Sequence, residues 1–169
     1  LRKYNHQMNN PTLERFFRHM SWANNQLFGQ LSTLPVSALN FSAWNPEWTV
    51  GKIANHIVIA EGRFLSRLQK LEPFPESEFE LTSEGMKALT AKSSENCAKL
   101  QEFLELDDEM LTFLRYGEKV NFLTSTVLAQ IVHHATEHRA QIADILAVNN
   151  MDVINLDKLD HWSFERFER

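Results

Sequence analysis

IVHHATEHRAQIADIL, residues 131–146, places three histidines within six positions of a stretch patterned as a helix. Set at about 100° per residue, Val127, Ile131, Ala135, Ile142 and Ile145 make one apolar face. His138 falls inside that face and His134 at its edge, whereas His133 shares the opposite side with Glu137 and Asp144. Residues four apart stand about 40° from each other and about 6 Å apart along the axis, so the imidazoles of His134 and His138 are able to converge on one ion. His133 is expected to face water. Helical HxxxH pairs also arise by chance, and a core histidine often bonds only a backbone carbonyl. At this level the metal-ligand and packing readings both stand.

Outward from this stretch, the helical pattern runs from about Thr124 to Val148 and ends at Asn149 and Asn150, residues that tolerate a left-handed backbone. Three further helices precede it. Leu13, Phe16, Phe17, Met20, Leu27, Leu31 and Leu34 keep helical steps from Pro11 to Leu34, and Pro35 closes that segment. Val50, Ile53, Ile57, Ala60, Phe64, Leu68 and Leu71 define a second helix behind Thr49 as N-cap. Met86, Leu89, Cys97, Leu100, Phe103 and Leu104 define a third from Ser83 to Leu106, with Ser83 as its cap. Between the second and third, EPFPESEFEL (72–81) reads as a surface loop. MLTFLRYGEKVNFLT (110–124) breaks the helical period with two β-favourable runs around Gly117, which suggests a short hairpin. The tail from Met151 offers Leu156, Leu159, Trp162, Phe164 and Phe167 to lie against the rest. Four long amphipathic helices predict an all-α fold, a four-helix bundle with a long crossover and a short β-hairpin between helices three and four, as a single domain over residues 1–169.

Composition agrees and narrows the function. Hydrophobic residues make up 43% of 169, with 12 Phe and 4 Trp, while 5 Gly and 5 Pro leave little material for turns. Cys97 is the single cysteine, so no internal disulfide exists and a reducing, cytoplasmic setting is expected. A formal net charge of -5 argues against nucleic acid as partner. No apolar run is long enough to span a membrane, so none is expected as a partner.

A catalytic site of the zinc type wants three protein ligands and an open position. His56, in the middle of the second helix and bordering its apolar stripe, is the candidate third donor. Glu61 projects toward the same stripe, where a carboxylate must be paired or hydrogen-bonded. It is a candidate acid-base residue, with an ion pair to Arg139 as the plainer account. Asn24, among the apolar residues of the first helix, either ties the helices together or reaches the site. Cys97 is expected to pack, and Trp44, Trp48 and Phe122 to serve the core or the pocket mouth. No HExxH motif and no paired ExxH helices occur, which removes the metalloprotease and di-iron bundle readings.

HMSWANNQLFGQLSTLP (19–35), WNPEWTVGKIANHIVIAEGRFL (44–65) and residues 131–146 together resemble the DinB superfamily, in DinB/YfiT-like order and spanning most of the chain. The most specific element is HxxxHRxQI preceded by the helix-two histidine. The resemblance implies a helix-bundle homodimer holding a divalent metal through His56, His134 and His138. It also implies kinship with enzymes that join a low-molecular-weight thiol to an electrophile, or use such a thiol as cofactor. Ala140 replaces a glycine often found there, and Gln130 stands where many relatives carry a further histidine. The resulting expectation is a metal-dependent transferase or hydrolase, with Zn, Ni, Fe or Mn activating a thiol cosubstrate or water against a small-molecule substrate. The alternative is a non-catalytic metal-binding or stress-response helical dimerisation protein.

Overall fold

A computed structural model of the chain describes residues 11–72, 77–105 and 107–169. Helix α1 (Pro11–Leu31) turns Phe17, Met20, Ala23, Leu27, Phe28 and Leu31 inward. It stops three residues short of Leu34 because the N–H groups of Thr33 and Leu34 bond back to the i−3 carbonyls of Gln30 and Leu31, a tight turn before Pro35. Pro35 then leads into a short helix, α2 (Val36–Leu39), that the apolar period did not reveal. Thr49 caps α3 (Val50–Leu68), its hydroxyl accepting from Lys52 N.

The cap of α4 (Ser83–Leu100) is Thr82 rather than Ser83: Thr82 holds the extended backbone of a cap, φ -134°, and its hydroxyl accepts from Gly85 N at 3.1 Å. Gly85 has no room for a side chain, since a Cβ there would meet the Glu80 carbonyl oxygen. The α-helix ends at Leu100 and tightens into a 3₁₀ turn over Gln101–Phe103, so the third helix is shorter than its apolar pattern. The expected end at Leu106, and Pro73 to Glu76 of the expected loop, lie outside the described residues.

Strands β1 (Met110–Arg115) and β2 (Glu118–Leu123) pair antiparallel, in register from Met110 opposite Leu123 to Arg115 opposite Glu118. Their two-residue turn is Tyr116 and Gly117, both at positive φ (52° and 83°), the geometry whose twist matches a hairpin. Helix α5 (Thr124–Val148) follows at once, and Asn150 after it adopts φ 59°. A 3₁₀ turn over Leu156–Lys158 and helix α6 (His161–Glu168) complete the chain.

Helix α1 packs on α4 and α5, and α3 packs on the same two, so the four long helices enclose one core. The molecule is mostly helical and bundle-like, but it has six α-helices among the described residues rather than four. The additional two are short connectors or end pieces: α2 lies against α3, and α6 against α1. In the tail Leu159 and Phe164 are buried, whereas Leu156, Trp162 and Phe167 remain largely exposed. The side chain of His19 donates to the Leu159 carbonyl at 2.7 Å and stacks on His161, which fixes the tail to α1. No helix among the described residues is long and apolar enough to cross a membrane.

Candidate metal centre

Adjacent packing of α3 and α5 brings three imidazoles together, one from the middle of α3 and two from one face of α5. The Nε2 atoms of His56 and His138 each lie 3.1 Å from Nε2 of His134. One ligand atom from each of the three residues falls within 4.8 Å of the others, and all three side chains are half-buried. Donors bound to one small cation at about 2.0–2.1 Å in tetrahedral directions stand about 3.3 Å apart, close to the two 3.1 Å spacings about His134. Helical periodicity on α5 accounts for the pair, while the α3–α5 contact supplies the third member.

The protonation of the cluster follows from its neighbours. Burial, with the nearby charges of His138 and Arg63, lowers His56 from 6.5 to about 4. Burial, with His138, His56 and His133, lowers His134 from 6.5 to about 3. Both rings are neutral near pH 7. Trp48 Nε1 is a donor only, and it lies 3.5 Å from Gln141 Oε1. Nδ1 of His138 lies 2.7 Å from the same oxygen, so it too must donate. The Nε2 of His138 therefore carries a lone pair and faces the cluster, the arrangement a metal-ligating histidine needs. Trp48 reinforces this by packing edge-on to His56 and His138, with ring centroids 5.0 and 5.8 Å away.

A cavity of about 490 Å³ opens beside His56 and His134, between α3, α5 and the hairpin. Gln130, one turn before His134, and Phe122 line it. Trp48 and Phe122 are half-buried at the edge of the core, and Trp44 is exposed. His133 faces solvent and meets Glu137 at 3.1 Å, as its position on the helix required.

Glu61 and Asn24 belong to a different cluster. Both are fully buried, and neither lines the cavity. Oε1 of Glu61 accepts from Asn24 Nδ2 at 2.8 Å and from Ser93 Oγ at 3.0 Å, and Oε2 accepts from Asn96 Nδ2 at 3.4 Å. On its other side, the Asn24 carbonyl accepts from Arg139 Nη1 at 2.7 Å. The expected ion pair of Glu61 with Arg139 is thus carried through an amide, which donates to the acid and accepts from the cation. Burial raises the Glu61 carboxyl from 4.5 to about 8, against the hydrogen bonds from Ser93, Asn96 and Asn24 and the charge of Arg139. Cys97 is buried nearby, and burial together with Glu61 pushes its thiol up, away from nucleophilic reactivity.

Sequence reasoning named neither Gln141 nor the clasp made by Asn55. Gln141 stands three residues after His138, hence on the same face, and that spacing was the available signal. Asn55 donates to Phe79 O at 3.1 Å and accepts from Phe79 N at 2.7 Å, pinning the segment before α4 beside the His56 turn. No local pattern announces a contact that distant in the chain.

A helical bundle with three clustered imidazoles, one of them held in the ligating tautomer, defines a protein equipped to bind a divalent metal. The profile of the DinB family matches residues 8–154, and the chain belongs to that family. No curated protein matches the chain.

Proposed function

We propose that the protein is a divalent-metal-dependent enzyme in which His56, His134 and His138 hold the ion, and that it transfers a small thiol to an electrophilic substrate or hydrolyses such a substrate. The observation that carries this reading is the convergence of three Nε2 atoms beside a cavity large enough for a small molecule. Three neutral imidazoles leave an ion its full charge, and such an ion lowers the pKa of a thiol or of water.

The chain's own residues supply the setting. Gln141 and Trp48 orient His138, burial keeps His56 and His134 unprotonated, and the aromatic walls restrict water around the reacting groups. Glu61, Asn24 and Arg139 act as a positioning network: Arg139 follows His138 directly on α5, and Glu61 lies five residues beyond His56 on α3. The ion is Zn, Ni, Fe or Mn, of which imidazole donors suit the first three. In this reading the chain is one domain over residues 1–169, cytoplasmic, without nucleic acid as partner, and a homodimer that sedimentation will detect.

The test is a comparison of metal-stripped and metal-reloaded protein in thiol-conjugation and ester- or amide-hydrolysis screens. Turnover that appears only on reloading, and is absent from His138→Ala, supports the enzyme. Reloaded protein that binds the ion and turns over nothing favours the non-catalytic metal-binding alternative.

A further inference from the structure

The last helix of the chain is held by a few aromatic rings. At 8 residues α6 is too short to persist in water by itself, so it exists only while docked on α1. Phe164 is its one buried side chain, with the rings of Trp22 and His19 at 5.5 and 5.8 Å, centroid to centroid. Next to it His161 stacks on His19 at 3.8 Å, the two planes 26° apart, and Phe16 lies 5.2 Å from the same ring. At the far end Glu168 pairs with Arg15 and Arg18.

His19 is buried, and only one of its nitrogens is satisfied. Nε2 donates to the Leu159 carbonyl at 2.7 Å, so Nδ1 of the neutral ring carries a bare lone pair. Nδ1 is enclosed and has no hydrogen-bond partner among the described residues. A proton there would create a buried N–H without an acceptor and set a charge against the stacked His161. Arg139 of α5 opposes a charge on either ring, and Arg15 of α1 opposes one on His161. Asp160 is the acid that favours such a charge, but it already caps α6, accepting from Ser163 N at 2.7 Å. Burial, with His161 and Arg139 and against the bond to Leu159, lowers His19 from 6.5 to about 4. Burial, with Arg15 and Arg139, lowers His161 as well. The stack therefore suits two neutral rings.

We propose that residues 159–169 form an acid-released latch: the segment stays docked on α1 while His19 and His161 are neutral, and leaves as they take up protons. Linkage gives the direction. With the segment off, His19 regains its ordinary 6.5, so docking is at full strength above that value and weakens as the pH falls toward about 4. Release uncovers His19 and Trp22, and the protein presents a different α1 surface in acid.

Hydrogen exchange of the full-length, metal-free protein, expressed as amide protection, tests the latch. Between pH 7.5 and pH 5, His19 alone is expected to lower the protection of residues 164–168 by at least about 30-fold. At both values this protection stays below that of the middle of α3, because the latch opens without the bundle. In His19→Gln, which keeps a donor for the Leu159 carbonyl but takes up no proton, the fall shrinks to within about fivefold. Should that variant leave α6 unprotected even at pH 7.5, the wild-type ring decides, since by NMR it must titrate well below 6.5 while α6 is docked. Four results each overturn the proposal: protection of α6 that is constant with pH, protection equal to that of α3 throughout, an undiminished fall in His19→Gln, or a His19 ring that titrates at 6.5 with α6 still docked.

Discussion

The imidazole cluster and the Glu61 network are built on the same two helices, with His138 and Arg139 adjacent on α5, yet they are finished differently. Around Glu61 every strong polar group has a partner: three donors meet the carboxylate, and Asn24 joins it to Arg139. Around His134 the contacts are ring nitrogen against ring nitrogen, and His138, whose Nδ1 already donates to Gln141, has only a lone pair to offer there. A satisfied buried network rigidifies a core, whereas ring nitrogens gathered beside a cavity are open to a further partner. The first cluster holds the helices in place. The second waits on them.

The largest effect that separates the two is expected at His134, to which both other rings point. His134→Ala lowers metal affinity by at least about 100-fold while leaving the helical content intact, as calorimetry and circular dichroism will register. Retained affinity would place the ion elsewhere. The converse experiment removes the cation of the other cluster. Arg139→Met leaves the buried Asn24 carbonyl without its donor, a loss of about 2 kcal/mol in urea unfolding, with metal stoichiometry unchanged once the protein is folded. A variant that loses the metal but not the stability would reverse the roles assigned here.

A smaller effect tests the link between α5 and the ligand tautomer. Gln141→Leu removes the acceptor for His138 Nδ1 and is expected to weaken metal binding by about 10- to 100-fold, with a change in unfolding free energy below about 1 kcal/mol. Equal affinity would show that the ring needs no such anchor.

The last test is in pH, where the clusters pull in opposite directions. His56 and His134 titrate below the ordinary 6.5 in the folded state, so the unfolded chain binds protons first. Their contribution to stability is complete above 6.5 and is lost as the pH falls through about 4 and about 3. Glu61 titrates above its ordinary 4.5, so its contribution is complete below that value and is lost as the pH rises through about 8. Urea midpoints of the metal-free protein across this range should fall less steeply in acid for His134→Ala and less steeply toward alkali for Glu61→Gln. Unchanged slopes would mean that neither group titrates as its burial requires.

Local chemistry made much of this legible before any coordinates. The α5 boundaries, the hairpin at Gly117 and the inward aim of His134 and His138 all follow from periodicity and turn residues within a few positions. What escaped depends on distant chain segments or on competition between neighbours. Thr82 took the capping position from Ser83 because its own backbone is extended there. Asn24 came between Glu61 and Arg139, a placement that requires α1, α3 and α5 to be packed first. His56 is instructive in the middle: its helix face was readable, but its distance from His134 was a property of packing.

Crystals soaked in zinc salt and measured at the absorption edge test the central claim most directly. The account predicts one dominant anomalous peak about 2.0–2.1 Å from Nε2 of each of His56, His134 and His138. A strongest peak on surface carboxylates, with the three Nε2 atoms still facing only one another, would contradict it.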